Sequence, residues 1–567
     1  MDIVRSFKYL LVLASGVFVR EAAAQQKPRL ILQVTVDQLR GDMPRKYMDR
    51  YGEGGFKYLF ENGIHYINAH YAHSNTETGV GHTSLATGAY PSVSGVVGNE
   101  WFDVKKGIQV YCVDDDRYPV LPFADSSVTV IRPQGEAGTG QSGKSPANIL
   151  CSTFSDELTL FSAGKSKTFG VSFKDRGAIT LAGHTGKAFW FNSQSGDFVT
   201  SSYYYPEYPE WVRVWNRKRI ADNYLGKKWE LMHDQSGYIY GDRDDQPFEV
   251  NRTGYGRTFP HAYGNVKGAS FYSMVTTSPA GDEILLDFTK ALIENENVGD
   301  DTVTDFLAVS FSCTDYIGHT FSPSSLEAED NILRLDRTLA GLFRFIDREI
   351  GLGNTLIVLS SDHGAGEAPA LAAGFGFPAG HVIAEDLMNR VYENLVEHFG
   401  IGKELVRKFQ PPHLYLDHDL IGKKKIPIQE LNDFLIGQLT DQEGIEMAFA
   451  VNSADITGNA NNRISNLVLN NYYPDRSGDI YIVPSPYWTM VWDRKSISYM
   501  ASGHGSPWTY DTHVPVIFAG WGIQGKQISR EIHVVDIAPT LSAISGSKYP
   551  SGNCGEVLQE VVCGIIK

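Results

Sequence analysis

The chain has 567 residues, 42% hydrophobic and 20% charged. That is enough apolar material for one large α/β domain with insertions, and too few charges for an intrinsically disordered chain. Fifty basic against 66 acidic residues leave a formal charge of −16, which argues against nucleic acid or an anionic lipid surface as a partner and requires local cations at any site for an anionic substrate.

At the N-terminus, Arg5 and Lys8 precede the apolar run "YLLVLASGVFV", and Ala22 and Ala24 follow it. This predicts a signal peptide over residues 1–24 and export, with a periplasmic location expected. No later stretch reaches the ~18 apolar residues of a membrane span, so the mature chain, 25–567, is expected to be free of stable membrane spans. The segment 29–42, "RLILQVTVDQLRGD", reads as a buried parallel strand ending at Asp37. In "HSNTETGVGHTSLATG", residues 73–88, a helical run follows Thr78; the threonine either caps that helix or faces a substrate. Residues 279–297 are predicted helical, 303–313 a strand, 324–350 a long amphipathic helix and 354–361 a strand. A late strand over 514–520 and a closing helix over 533–546 complete the pattern. This strand–helix–strand order predicts an α/β fold, a doubly wound, mostly parallel central sheet flanked by helices. Residues 186–275 and 395–485 break the rhythm and read as cap insertions over the carboxyl ends of the strands, where ligands bind in such sheets.

The five cysteines form no CxxC pair. In an oxidising compartment, Cys554–Cys563 is the first expected disulfide and Cys112–Cys151 the second, leaving Cys313 as a buried free thiol.

Chemistry-bearing residues gather at the predicted strand ends. Asp37 closes the first strand, "CTDYIGHT" supplies Asp315 and His319, "SSDHGAG" supplies Asp362 and His363, and "ASGHGSPW" supplies His504. Singly, an aspartate there is an ordinary helix cap and a histidine an ordinary polar group. Together, three carboxylates and three imidazoles in turn-like settings on one face form an oxygen/nitrogen ligand set suited to zinc. Six ligands exceed the need of one tetrahedral ion and suit two ions that clamp an in-line displacement. Metal coordination would also lower the pKa of the Thr78 hydroxyl, turning a poor nucleophile into a good one. Lys174 and Arg176, in "SFKDRGAI", read either as a basic surface turn or as the local cations that the acidic chain otherwise lacks.

The ordered set "TVDQLRGD", "TETGVGHTSLATG", "VVGNEWFD", "SFKDRGAI", "CTDYIGHT", "LSSDHGAG" and "SGHGSP" resembles the alkaline phosphatase superfamily over nearly the whole mature chain. It is most similar to the bacterial two-zinc branch with a threonine nucleophile (PafA-type), related to nucleotide pyrophosphatase/phosphodiesterases. The resemblance implies one Zn2+ on Asp315, His319 and His504, and a second on Asp37, Asp362, His363 and the Thr78 oxygen. It implies that Asn99 donates to a phosphate oxygen, and that Lys174 and Arg176 favour the dianionic monoester over the diester. The implied function is hydrolysis of small-molecule phosphate monoesters through a phosphothreonine, by a protein expected to be a monomer. A phosphodiesterase of the same superfamily would share every ligand. A sulfatase is disfavoured because no cysteine stands in a C/S-x-P-x-R motif. The remaining alternative is a zinc-binding or carbohydrate-binding surface protein that has lost catalysis, a role the aromatic stretch 200–215 would serve.

Overall fold

A computed structural model describes residues 27–122, 143–451 and 462–565; the expected signal peptide lies outside them. The first predicted strand forms as β1, Leu30–Val36, with every residue buried, as expected of a strand covered on both faces. Leu30, Leu32, Val34 and Val36 enter one apolar core and Ile31 the other, following the two-residue alternation of an extended chain. The remaining strands of the central sheet are β2 (Ile64–His70), β3 (Thr168–Ser172), β4 (Lys187–Asn192), β5 (Asp197–Val199), β6 (Asp305–Phe311), β7 (Thr355–Ser360), β8 (His513–Gly520), β9 (Lys526–Ile528) and β10 (Ile532–His533). Their order is β9-β2-β8-β7-β1-β6-β3-β4-β5, with β10 also pairing β2. β7, β1, β6, β3 and β4 are mutually parallel. The late strand β8 departs from that direction and is antiparallel to both neighbours. The mostly parallel, doubly wound sheet expected from the sequence is thus present. β6 and β7 flank β1 on opposite sides, which makes the carboxyl end of β1 a topological switch point.

Helices cover both faces. Helices α3 (Pro279–Glu296) and α5 (Leu326–Glu349) bury Leu285, Phe288, Leu339 and Leu342 in the first core. Helices α1 (Thr78–Thr87) and α6 (Ile537–Ser545) bury Leu85, Ala86 and Leu541 in the second. Caps fix where the long helices begin: Ser278 Oγ accepts from the Ala280 N–H, ahead of Pro279 at the first helical position, and Ser325 Oγ accepts from the Ala328 N–H. Two boundaries differ from expectation. The strand predicted to reach residue 313 stops at Phe311, and Cys313 opens helix α4, Cys313–Phe321; its N–H donates to Asp282 Oδ1 at 3.3 Å. The closing helix starts at Ile537 after a single 3-10 turn, and another helix, Gln559–Ile565, follows it.

In the 186–275 region, the aromatic residues are largely core. Trp215, Trp229, Tyr238, Tyr255 and Tyr263 join the first apolar cluster, and the indole N–H groups of Trp215 and Trp229 donate to Asp287 and Asp330 at 2.7 and 2.6 Å. Tyr204, Tyr208 and Trp215 are at most 5% exposed, which withdraws three of the six aromatic residues of 200–215 from any carbohydrate-binding surface. Further along, residues Val406–Gln410, His413–Leu416, Ile445–Ala450 and Ile480–Pro484 form a separate antiparallel sheet. It has its own apolar interior, including Leu387, Leu395, Leu414, Leu431 and Ile480.

Both expected disulfides are corrected: all five cysteines are free. Cys112 is buried against Gly79, and Cys151 against Gly552. Cys563 lies on the final helix, with its thiol facing Gln559 one turn back, while Cys554 is held before that helix by its N–H bond to the Gly88 carbonyl, 2.7 Å. Cys313 is the buried thiol expected, and its sulfur packs on Gly281 of α3.

Candidate metal centre and nucleophile

Parallel pairing brings the carboxyl ends of β7, β1, β6 and β3 to one edge. Asp37 follows β1, Asp315 follows β6, Asp362 and His363 follow β7, and Lys174 follows β3. Asp37, Asp362 and His363 have ligand atoms within 4.8 Å of one another, and so do Asp315, His319 and His504. These are the two groups that the resemblance implies, the Thr78 oxygen apart. Asp315 and His319 sit on α4 rather than in a turn; their four-residue spacing puts both on one helix face, with His319 Nε2 3.2 Å from Asp315 Oδ1.

The three histidines share one arrangement. His319 Nδ1 lies 2.8 Å from the Ser502 carbonyl, His504 Nδ1 2.8 Å from the Thr76 carbonyl and His363 Nδ1 2.9 Å from the Gly364 carbonyl. A proton on each Nδ1 donates to the backbone and leaves the Nε2 lone pair facing the cluster, the usual support of a metal-bound imidazole. His363 Nε2 and Asp37 Oδ1 are buried without hydrogen-bond partners and lie 3.6 Å apart. Buried orphan groups of this kind are costly unless something else binds them, so the donor set fits a pair of cations.

The electrostatics agree. Burial lowers the pKa of His363, and it holds His504 well below the usual imidazole value with help from His363 and His319; both rings are therefore in the neutral, ligating form. Burial also pushes Asp37 well up, with repulsion from Asp362 adding to it. For Asp315, burial is outweighed by His319 and Lys174, which hold it well below the ordinary carboxylate range.

Thr78 is the first residue of α1 and is 1% exposed. Glu77 takes the N-cap position, and no side chain caps the helix, so the capping reading of Thr78 fails. Lys174 Nζ donates to Thr78 Oγ1 at 3.3 Å and lies 2.8 Å from Asp37 Oδ2 and 2.5 Å from Asp315 Oδ2. It thus joins the hydroxyl to both ligand groups. Burial opposes its charge, but Asp315 and Asp37 more than compensate and raise its pKa. Asn99 Oδ1 accepts from the Gly79 N–H at 2.7 Å, which orients its amide beside Thr78. Arg176 opens the turn of α2 (Asp175–Ala182); its Nη1 donates at 3.0 Å to the Tyr111 hydroxyl, which donates to Asp175 at 2.6 Å. Every sequence-predicted site residue is therefore at this edge of the sheet.

Close approach of α1 to the β7 loop requires glycine. A Cβ on Gly81 would sit 1.9 Å from the Asp362 carbonyl oxygen, and one on Gly79 would sit 2.8 Å from Cys112 Sγ.

Three supporting residues escaped the motif reading. Gln38, with φ 67°, donates its backbone N–H to Asp362 at 3.1 Å and its side-chain amide to Asp315 at 3.0 Å, so it spans both ligand groups. His82 Nδ1 lies 2.9 Å from the Thr78 carbonyl and 3.1 Å from Asp362 Oδ2, while its Nε2 is 2.8 Å from Ser310 Oγ. Tyr111 positions Arg176. The histidine in "TGVGH" was the only visible signal among them; the partners of Gln38 and Tyr111 lie far away in the chain.

The fold and this edge define a hydrolase of the alkaline phosphatase superfamily. Residues 31–507 match the family model for type I phosphodiesterase / nucleotide pyrophosphatase. A protein of Myroides odoratus named calcium-transporting ATPase is 34% identical over 541 residues, 95% of each chain. Alkaline phosphatase PafA of Elizabethkingia meningoseptica is 32% identical over 563 residues, 98% of each chain. The crystal structure of wild-type PafA superposes with a TM-score of 0.85 at 32% identity, covering 94% of this chain and 99% of that one. The chain belongs to the type I phosphodiesterase / nucleotide pyrophosphatase family, on its PafA-type alkaline phosphatase branch.

Treatment with a strong chelator is expected to lower the midpoint of thermal unfolding, and added Zn2+ to restore it. Metal at 1,000 times its Kd stabilises a folded protein by about 4 kcal/mol, and its loss leaves three buried carboxylates facing one lysine. Calorimetry before and after chelation checks this; an unmoved midpoint would mean that the cluster holds no tightly bound cation.

Proposed function

We propose that the chain is an exported, zinc-dependent alkaline phosphatase that hydrolyses small-molecule phosphate monoesters through a phosphothreonine at Thr78. The observation that carries this reading is the position of Lys174, whose ammonium touches the Thr78 hydroxyl and both carboxylate groups at once. A diesterase has no need of so much positive charge at the phosphoryl oxygens. One zinc would be held by Asp315, His319 and His504, and the other by Asp37, Asp362, His363 and Thr78; when bound, they supply Lewis acidity that lowers the pKa of the attacking hydroxyl and stabilises the leaving oxygen.

The chain's own groups do the rest. The N-terminus of α1 presents a partial positive charge to the phosphoryl oxygens. Asn99 offers its amide to a non-bridging oxygen. Lys174 and Arg176 place two cations on the terminal oxygens, where a monoester dianion carries more charge than a diester. The Thr78 oxygen attacks phosphorus in line and the ester oxygen departs as the alcohol. Water then attacks from the vacated side, releases inorganic phosphate and regenerates the threonine. The work is mostly positioning and charge stabilisation of a loose transition state.

We place the protein in the periplasm as a monomer, with residues 395–485 and the part of 186–275 that follows β5 as cap segments; the start of the 186–275 stretch is corrected, because 187–192 and 197–199 are strands of the central sheet. No helix among the described residues is long and apolar enough to cross a membrane. A comparison of p-nitrophenyl phosphate with bis(p-nitrophenyl) phosphate tests the reading: kcat/KM should favour the monoester, and a preference for the diester would make the chain a phosphodiesterase.

A further inference from the structure

The cavity that meets the metal centre has a volume of about 300 Å3, with Asn99, His319 and His504 among its lining residues. Much of its remaining wall is apolar or aromatic, from Pro411, Pro412, Tyr487, Trp488, Met490 and Met500. Its acidic lining residues are Glu77, Glu367, which pairs with Arg40 at 2.9 Å, and Asp511, and no Lys or Arg lines it among the described residues. Lys174 and Arg176 do not line it, so cations serve the phosphoryl group alone and offer nothing to a second anion on the ester.

The aromatic wall is braced. Tyr487 stacks on Tyr510 with ring centroids 5.1 Å apart and planes at 26°, and Phe377, 51% exposed, lies 5.1 Å from Tyr487 on its way out to solvent. Tyr510 in turn lies over Gly366, just past the ligands of the β7 loop. Tyr487 holds φ 64°, a conformation unfavourable for a bulky side chain, and its N–H is anchored to the Tyr510 oxygen at 3.0 Å. A strained residue retained beside a reacting centre points to a role in that site.

We propose that this cavity is the leaving-group pocket and that it selects uncharged planar groups, aryl or heteroaryl, over flexible alkyl groups and over leaving groups that carry a second anion. The inference rests on the phosphomonoesterase reading above. Rings stack on Tyr487 and fill the space beside Met500 with little loss of rotamer freedom. A further negative charge finds no lining Lys or Arg among the described residues to pair with.

The test uses the zinc-loaded full mature enzyme and three phosphate monoesters with leaving groups of matched pKa: a neutral aryl, a carboxyaryl and a polyfluoroalkyl ester. The neutral aryl ester should have the highest kcat/KM, by about tenfold over each of the others. Y487A and M500A should each lower the aryl kcat/KM several-fold while the inhibition constant of inorganic phosphate stays within about twofold, because phosphate does not reach this wall. Y487F, which keeps the ring, should retain the aryl preference. Equal values for the three esters, a preference for the carboxyaryl ester, or parallel loss of all three with weakened phosphate inhibition would overturn the assignment. Absence of turnover with any monoester would instead sink the phosphomonoesterase reading itself, so the two failures are distinct.

Discussion

Thr78→Ala is expected to lower kcat for p-nitrophenyl phosphate by at least about 10³-fold, the scale set by removing a nucleophile from a site whose other groups survive. The hydroxyl is buried at the start of α1, and the residues that follow it, Gly79, Val80 and Gly81, carry no side-chain oxygen. Alanine keeps the helix and, under the proposed assignment, removes one ligand oxygen, while Asp37, Asp362 and His363 remain. Metal content by elemental analysis should therefore stay near that of the parent protein. The conservative variant Thr78→Ser should retain measurable turnover, and rapid quenching with a labelled monoester should trap phosphate on residue 78 in the parent and not in the alanine variant. Near-parental turnover by Thr78→Ala would show that another group attacks phosphorus.

The double variant Lys174→Ala/Arg176→Ala should lower monoester kcat/KM by about 10²- to 10⁴-fold, taking ~1.5–3 kcal/mol for each charged hydrogen bond. Diester kcat/KM should change by less than about tenfold, since the diester gives these cations one negative charge fewer to meet. The ratio of the two substrates is the informative quantity, because a general disturbance of the metal centre lowers both. Lys174 carries the heavier expected effect. It is 4% exposed and lies between Asp37 and Asp315, so alanine leaves those carboxylates without their shared ammonium. Arg176→Ala alone should cost less, because Arg176 is partly exposed and reaches its position through Tyr111. Equal losses for monoester and diester would remove this pair from substrate selection.

Much of this was legible because strand ends announce themselves. An apolar run such as "LILQVTV" followed by Asp37, or "LIVLSS" followed by Asp362 and His363, marks both a buried strand and the residue at its carboxyl end. Parallel pairing then gathers such residues without further information. The direction of β8 was not legible, since an apolar strand reads alike either way. Nor was the helix bearing Asp315 and His319: "CTDYIGHT" has glycine near its centre and resembles a turn until Asp282 is seen to accept from the Cys313 N–H. Cysteine spacing misled, because nearness in the chain says little about which way two thiols point, and the final helix turns Cys563 toward Gln559. Gln38 and Tyr111 escaped for a related reason. Each acts through partners far along the chain, and neither residue type signals that task.

The small antiparallel sheet with its own apolar interior bears on how such a protein diversifies. Pro411, Pro412 and Trp488, which line the cavity beside the metal centre, are carried by or next to that sheet rather than by the strands that bear Asp37, Asp315 and Asp362. Substitutions that reshape this wall are absorbed by a neighbouring interior, while the scaffold beneath the reacting atoms keeps its packing. The wall beside the reacting atoms can therefore be remodelled without repacking the layer that holds them.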